Sequence, residues 1–382
     1  MRSICGYLNK HLVRGIFLGM FAILLFRAGG ADAAALALNC GQWNVVPSPN
    51  GGPESQLYGV TAISANNVWT VGTDSFHNQS LIEHWDGTQW SIVSSPGSGY
   101  FTAISGSSAN DIWAVGATSK FGKPQALIEH WDGTQWSIVS GANIPNATIV
   151  ELGGVAAISS DNVWATGSYA GPNAGLSLVE HWDGTQWSVV PSPNVGQSDG
   201  LSSVAAVSPN DIWAVGGFFV AQGQPPQPLI EHWDGTQWSV FTTLHSKPCS
   251  SLSGVAAVST NNVWAVGTYF KKTCNRVKNA FALIEHWDGT QWSVMANPAQ
   301  SKSYLTGVAA ISANDVWAVG FERTQPGQFS TLTEQWNGTQ WTIVPSPNPQ
   351  PVSYLDGVAA IGSNLWAVGN TYTTNTLTEF YC

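Results

Sequence analysis

Short runs of alternating apolar and polar residues recur about every fifty positions along the chain. In the first complete repeat, runs of strand-like composition occupy residues 57–63, 68–73, 80–85 and 89–93. Asn66-Asn67 separates the first pair, and Asp86-Gly87 separates the last pair. An Asp-Gly pair between two such runs is a strong β-hairpin signal. The pattern therefore predicts four antiparallel strands per repeat, which we call strands A to D in chain order.

Two motifs set the number of repeats. The octapeptide EHWDGTQW occurs unchanged five times, and a sixth copy reads EQWNGTQW. A second motif, of the type SANDVWAVG, contributes one tryptophan to each repeat. These tryptophans are Trp69, Trp113, Trp164, Trp213, Trp264, Trp317 and Trp366. Four-stranded repeats of this length are typical of propeller blades, so we predict an all-β, seven-bladed β-propeller.

The two ends of the repeat region complement each other. The terminal sequence EFYC aligns with the E-H-W-D of strand C, and no strand D follows it. Residues 40–49, CGQWNVVPSP, align with the missing G-T-Q-W-S-V-V-P-S-P. We therefore predict one domain over residues 40–382, whose last blade is completed by the N-terminal strand. This alignment makes Cys40 and Cys382 neighbours in a C–D hairpin and predicts a disulfide between them.

The sequence predicts a second disulfide in blade 5. Cys249 lies in the loop that enters strand A, and Cys274 lies in the loop between strands B and C. Successive strands are antiparallel, so D–A and B–C connections emerge on the same face of the disc. We therefore expect Cys249 to pair with Cys274, as the oxidising environment of an exported protein permits.

Residues 1–37 have the features of a signal peptide. Arg2, Lys10 and Arg14 precede an apolar run over residues 15–26, and small residues follow around Ala31-Asp32-Ala33. Such a segment is cleaved rather than left in the membrane, here near residues 33–37. We expect a secreted or extracytoplasmic protein with no membrane span after cleavage.

The charge balance argues against nucleic acid as a partner. The formal net charge is −10, and only nine Lys and Arg remain beyond residue 37, against 22 Asp and Glu. No basic stripe lies along the chain, as nucleic acid or anionic lipid would require. The twenty tryptophans all fall at three repeat positions, so we expect them to pack between blades.

Most carboxylates also belong to repeat positions. Sixteen of them, including the glutamate of each EHWD-type motif, are expected to cap turns and to accept backbone hydrogen bonds. Glu54, Glu151, Asp199 and Asp356 lie instead near the starts of strands A, around the expected channel mouth. If the protein is an enzyme, two of these four could serve a polysaccharide hydrolase or lyase. No motif joins them, and no histidine spacing predicts a metal or other cofactor.

Candidate binding residues lie on the face that bears the variable B–C and D–A loops. Four cations fall in or beside the B–C loop of blade 5, namely Lys271, Lys272, Arg276 and Lys278. They could bind an anionic ligand or simply remain solvated. Aromatic residues end the B strands, namely Tyr169, Phe218, Phe219, Tyr269, Phe270, Phe321 and Tyr372. They could stack on a sugar, anchor a protein segment or seal the tops of the blade interfaces.

The repeat resembles a known family. Val-Trp-Ala-Val-Gly, then Leu-Ile-Glu-His-Trp-Asp-Gly-Thr-Gln-Trp-Ser and Pro-Ser-Pro, are similar to the kelch repeat and to Trp-rich propeller repeats of exported bacterial proteins. Only blade 4 has the kelch glycine doublet, Gly216-Gly217. We predict a monomeric, non-catalytic binding module for a glycan or an extracellular protein. The alternatives are the hydrolase or lyase described above and a structural repeat protein without a dedicated ligand.

Overall fold

A computed structural model describes residues 38–118, 123–171, 175–221, 223–241, 249–271, 279–299, 302–372 and 375–382. The predicted signal peptide, residues 1–37, lies outside these ranges. The described residues form 28 strands and contain no α-helix. Accordingly, this part of the chain has no helix with the length and apolar character needed to cross a membrane.

The strands fall into four positions, which match the predicted strands A to D. The A strands are β2 (Ser55–Ser64), β6 (Tyr100–Ser108), β10 (Ile149–Ser159), β14 (Ser198–Ser208), β18 (Ser250–Ser259), β22 (Ser303–Ser312) and β26 (Ser353–Ile361). The B strands are β3 (Asn67–Asp74), β7 (Asp111–Ala117), β11 (Asn162–Ala170), β15 (Asp211–Phe219), β19 (Asn262–Phe270), β23 (Asp315–Gln325) and β27 (Asn364–Thr371). The C strands are β4 (Gln79–Trp85), β8 (Ala126–Trp131), β12 (Gly175–Trp182), β16 (Pro226–Trp233), β20 (Ala280–Trp287), β24 (Gln328–Trp336) and β28 (Thr376–Tyr381). The D strands are β5 (Trp90–Ile92), β9 (Trp136–Ile138), β13 (Trp187–Val189), β17 (Trp238–Val240), β21 (Trp292–Val294), β25 (Trp341–Ile343) and β1 (Trp43–Val45).

Each blade is a four-stranded antiparallel sheet in the order A-B-C-D. Blades 3 and 4 are also joined by one parallel pair, Gly175 with Ser198. The predicted seven-bladed propeller is therefore confirmed. Strands A to C extend one to three residues beyond the expected runs, whereas strand D contains only three residues in every blade.

Tryptophan packing joins one blade to the next. The B-strand Trp69 of blade 1 lies 4.9 Å from Trp131 and 5.6 Å from Trp136, on strands C and D of blade 2. The contact with the C-strand ring is tilted, and the contact with the D-strand ring is edge-on. The same trio recurs around the ring, and its B-strand tryptophans are at most 3% exposed. The prediction that tryptophans pack between blades is correct.

Blade 7 is assembled from both ends of the chain. Strand β1 pairs with β28, and Trp43 lies opposite Tyr381. Tyr381 takes the place of the C-strand tryptophan, with its ring 4.6 Å from Trp317 of blade 6. Cys40 and Cys382 form the predicted disulfide, with Cα atoms 4.7 Å apart. Both the closure and this disulfide were thus predicted correctly.

A β-bulge interrupts strand A at the same position in every blade. In blade 1 the register shifts between Leu57 and Gly59, so Tyr58 is the extra residue. The bulge turns the Gln56 carbonyl toward Gly72 on strand B, where a Cβ atom would lie only 1.8 Å from that oxygen. The other six B strands have glycine at this position, with equally close carbonyls. The repeated glycine of the VWAVG motif is therefore required by the bulge opposite it.

The disulfide that closes the ring allows a first prediction. Cys40→Ser, Cys382→Ser and the double variant should each lower the free energy of unfolding by about 2–5 kcal/mol, because the bond constrains a loop of 342 residues. Urea denaturation under non-reducing conditions measures this loss. The double variant should lose no more than either single variant, because all three break one bond. Additive losses, or no loss, would show that the bond does not hold the ring.

Candidate functional site

The seven A strands surround a central channel. The bulge residues of these strands line it at one level, which we call the bulge ring: Tyr58, Thr102, Gly153, Ser202, Ser253, Thr306 and Asp356. Together with the two residues that follow each of them, they enclose a cavity of about 230 Å³. Its lining is mostly polar, and Asp356 is its only carboxylate.

Hydrogen bonds tie the bulge ring to neighbouring blades. The Thr102 hydroxyl donates to the Leu152 carbonyl at 2.7 Å and lies 3.0 Å from the Val115 carbonyl oxygen. Thr306 makes the equivalent contact with the Leu355 carbonyl at 2.8 Å. Threonine side chains at the level of the bulge therefore join the A strands of blades 2 and 3 and those of blades 6 and 7.

Asp356 and the neighbouring Tyr58 both have strongly raised pKa values. Burial raises the pKa of Asp356 to about 7, because this carboxyl group lies inside the narrow channel and is only partly exposed. Burial, followed by the Asp356 and Tyr100 charges, raises the pKa of the neighbouring Tyr58. No hydrogen bond or ion pair joins Asp356 to the part of the chain that the structure describes. The channel thus contains a carboxyl group that titrates near neutral pH.

A second set of residues lies two positions earlier on each A strand, toward the D–A loops, and two of them, Tyr100 and Glu151, line a cavity. This mouth ring comprises Gln56, Tyr100, Glu151, Gly200, Ser251, Tyr304 and Tyr354. A cavity of about 330 Å³ opens beside Tyr100, Glu151, Ser168 and Ser202. The Tyr100 hydroxyl donates to Glu151 Oε1 at 3.2 Å. Burial, followed by this carboxylate, raises the pKa of Tyr100 to about 12.

Aromatic side chains form a continuous row at the mouth, across blades 5 to 7. This aromatic row runs in order of contact through Phe270, Tyr304, Phe321, Tyr354 and Phe329. Tyr304 and Phe321 stack at 4.8 Å, and Phe321 meets Tyr354 edge-on at 4.8 Å. All five side chains are half-buried. An apolar strip therefore borders the channel opening.

Cations accompany the aromatic residues. The Arg323 guanidinium lies 6.0 Å from the centre of the Phe329 ring, and Lys271 Nζ lies 4.0 Å from that of Phe281. Of the four Lys and Arg within the described ranges, Lys271, Lys302 and Arg323 belong to blades 5 and 6. The positive charge of these ranges is therefore concentrated beside the aromatic row.

The other predicted binding residues have different surroundings. Tyr169, Phe218 and Tyr269 pack against the apolar clusters between blades, which favours the interpretation that they seal the interfaces. Phe219 and Tyr372 are 41% and 72% exposed. Lys272, Arg276 and Lys278 lie outside the described residues. Cys274 does too, so its disulfide with the buried Cys249 stays a prediction.

The structure does not bring the four candidate catalytic carboxylates together as a set. Asp199 is 3% exposed and accepts hydrogen bonds from the backbone N–H groups of Val195 at 2.6 Å and Gly196 at 3.2 Å. Glu54 is exposed and accepts from the Ser75 hydroxyl at 2.9 Å. Only Glu151 and Asp356 line the channel cavities. Within the described ranges, no three His, Cys, Asp or Glu side chains converge as potential metal ligands.

Sequence reasoning missed the aromatic residues of strand A. Tyr58, Tyr100, Tyr304 and Tyr354 were not among the predicted site residues, yet Tyr58 and Tyr100 line the channel cavities and Tyr304 and Tyr354 belong to the aromatic row. Each A strand has one position that is apolar in every repeat, occupied by Leu57 in blade 1. The residues on either side of it differ from blade to blade. This variation inside an otherwise regular strand was the available signal.

The repeat glutamates also differ from expectation. All seven are 0% exposed. Glu129 accepts from Gly97 N at 2.8 Å and Glu180 from Ala142 N at 3.0 Å, as predicted. Glu83, Glu285 and Glu379, however, have no hydrogen-bond partner within the described ranges. For these three the prediction was wrong, because neighbouring strands already pair their backbones and only the variable D–A connector could donate.

Burial without a partner keeps these carboxyl groups neutral. It raises the pKa of Glu83 to about 8 and that of Glu285 to about 7, and the pKa of Glu379 is raised well above its usual value. The isolated charge would cost far more in the core than the protonated acid. Folding therefore favours proton uptake by each of these residues near neutral pH.

Comparisons with known proteins identify the fold. No protein-family model matches the chain, and no curated protein matches it. A structure of YCF48 bound to a D1 peptide has a TM-score of 0.54 and 15% identity, covering 91% of this chain and 99% of that one. U3-55K has a TM-score of 0.58 and 13% identity, with 89% and 98% covered. The WD40 β-propeller domain of Doa1 has a TM-score of 0.58 and 14% identity, with 88% and 96% covered.

The buried glutamates predict an unusual pH dependence. The pKa of these glutamates is higher in the folded than in the unfolded state. The free-energy cost of ionising them in the core is therefore absent below about pH 4.5 and grows as pH rises toward 8. The variant Glu83→Gln/Glu285→Gln should therefore melt a few degrees above the unmodified protein at pH 8, and the gain should vanish near pH 4.5. Thermal melts across this range measure the difference. Glu54→Gln, at an exposed carboxylate, is the control, and parallel pH profiles would contradict the prediction.

Proposed function

We propose that this protein is a non-catalytic binding module whose variable face holds an extended protein segment. The aromatic row carries this proposal. Its rings are contiguous at 4.8–6.4 Å, half-buried and bordered by Arg323. A rigid aromatic strip with an arginine has the composition of an interaction hot spot.

The arrangement of the rings favours a protein segment over a glycan. Tyr304 and Phe321 stack with an interplanar angle of 20°, so each covers one face of the other. Sugar-stacking sites use an open, flat ring face, whereas the edges and gaps of this row suit apolar side chains. One propeller of similar fold, YCF48, has been solved with a D1 peptide bound. That likeness supports the proposal only at the level of fold, because propellers have many functions.

The hydrolase alternative has less support. The Asp199 carboxylate already accepts two backbone hydrogen bonds, and Glu54 lies at an exposed position, where it accepts one from Ser75. The two remaining carboxylates have different environments. Glu151 accepts a hydrogen bond from Tyr100, and Asp356 lies deeper in the channel. We therefore place the function in binding.

We propose further that the protein acts outside the cytoplasm and belongs to a kelch-like, Trp-rich group of exported propellers. The N-terminal segment of the sequence has the pattern of a cleaved signal. The Cys40–Cys382 disulfide suits an oxidising compartment.

Peptide display on the purified protein tests the binding function. Selected peptides should contain apolar or aromatic anchors, and Phe321→Ala and Tyr354→Ala should each weaken their binding at least tenfold, as hot-spot truncations do. Tyr372→Ala, at a 72% exposed ring outside the row, should leave affinity within twofold. Circular dichroism confirms that each variant is folded. Selective binding on a glycan array, with no peptide enriched, would favour the glycan alternative instead.

A further inference from the structure

The channel mouth combines a deep polar opening with carboxylates at two levels. We propose that this opening is the specificity pocket of the binding face and accepts the cationic side chain of a lysine or arginine in the bound segment. The inference rests on the proposed function and names the residue that such a partner must present.

Depth and width fit a long, thin side chain. Glu151 is on blade 3 and Asp356 on blade 7, and their levels along the A strands differ by two residues, a step of about 6–7 Å in depth. The four-carbon stem of lysine spans a similar depth. Gly153 and Ser202 leave the side of the opening at blades 3 and 4 free of bulky groups. The cavities of about 230 and 330 Å³ share Thr102, Gly153 and Ser202, so they are adjacent.

The charges in these cavities select a cation. No Lys or Arg lines either cavity, whereas Glu151 and Asp356 both do. The Thr102 and Thr306 hydroxyls already donate to backbone carbonyls of the next blade. Carboxylates therefore remain the main acceptors for an incoming donor, and the Tyr100 ring adds a surface for cation–π contact.

Asp356 supplies a further reason for a bound cation. Its side chain lines the channel cavity and is partly exposed to it, and no ion pair or hydrogen bond reaches it from the described residues. Burial without a partner is unfavourable for the charged form and raises the pKa of Asp356 to about 7. An ammonium or guanidinium group seated beside it would remove that penalty. The cavity thus contains the anionic half of an ion pair.

The deeper cavity and the aromatic row are adjacent at blade 7, where Asp356 lies close enough to Tyr354 to influence its pKa. Tyr304 and Tyr354 belong both to the mouth ring and to the aromatic row. A segment lying along the row therefore passes over the opening, and a residue next to its aromatic anchor can extend into the channel. The two features together specify an apolar segment that carries one basic residue.

Matched peptides test the pocket. The probes are Ac-Phe-Gly-Lys-Gly-Phe-NH2 and its arginine and norleucine analogues, titrated calorimetrically at pH 8. We expect the lysine and arginine peptides to bind at least fivefold more tightly than norleucine. Glu151→Gln and Asp356→Asn should each reduce this ratio to less than twofold, while Glu54→Gln keeps it. Equal binding of all three peptides, or an undiminished ratio in Glu151→Gln/Asp356→Asn, would overturn the inference.

The same titrations separate this inference from the proposed function. Phe321→Ala should weaken all three peptides in equal proportion, because it removes the aromatic anchor but not the pocket. Peptides that depend on Phe321 but show no preference for a basic residue would leave the binding module intact and reject the pocket.

A smaller probe tests the pocket without the aromatic row. Carbon-13 NMR of the Asp356 carboxyl group gives its pKa with and without n-butylamine. Tyr58 and Tyr354, the titratable side chains beside it, stay protonated from pH 5 to 9 because their pKa values are raised. Binding of butylammonium should lower the Asp356 pKa by at least half a unit, and butanol should not. An unchanged pKa at saturating amine would overturn the pocket whatever the peptides do.

Discussion

The propeller depends on the insertion of one tryptophan from each blade between two aromatic rings of the next. This contact buries the largest side chains of the protein, and it is made only when two blades face each other. A four-stranded blade alone would leave these rings in water. The structure is therefore stabilised between repeats as much as within them, as in other repeat proteins.

The bulge in strand A links this architecture to the candidate site. It adds one residue to the inner strand, requires glycine on strand B and places seven residues, six of them with side chains, at the channel. The scaffold thus fixes where these side chains lie but not what they are. Polar residues fill the ring on one side, and Tyr58 and Asp356 are neighbours where the last blade meets the first.

Regular repetition explains which features could be predicted. The EHWDGTQW spacing gave the blade count, and the alignment of Cys40 with Cys382 gave the closure, because both follow from positions that every blade shares. Asp356 was placed at the channel because it lies at the start of a strand A, but Tyr304 and Tyr354 depart from the repeat, and no pattern placed them. That Glu83 lacks a hydrogen-bond partner could not be predicted either. The only segment that could donate to it is a D–A connector, and the strand pattern does not define the course of that connector.

Completion of blade 7 from both ends has a consequence for how the chain folds. Strand β1 is made early, yet its partner β28 is separated from it by almost the whole domain. Until β28 has been synthesised, β1 has no native strand to pair with. Several nearly identical C strands are present before that, and β1 could pair with the edge of one of them. Pairing with the wrong one would give a smaller, incomplete circle. Cys40 can form its native disulfide only beside Cys382, so the covalent bond forms only in chains whose ring contains all seven blades.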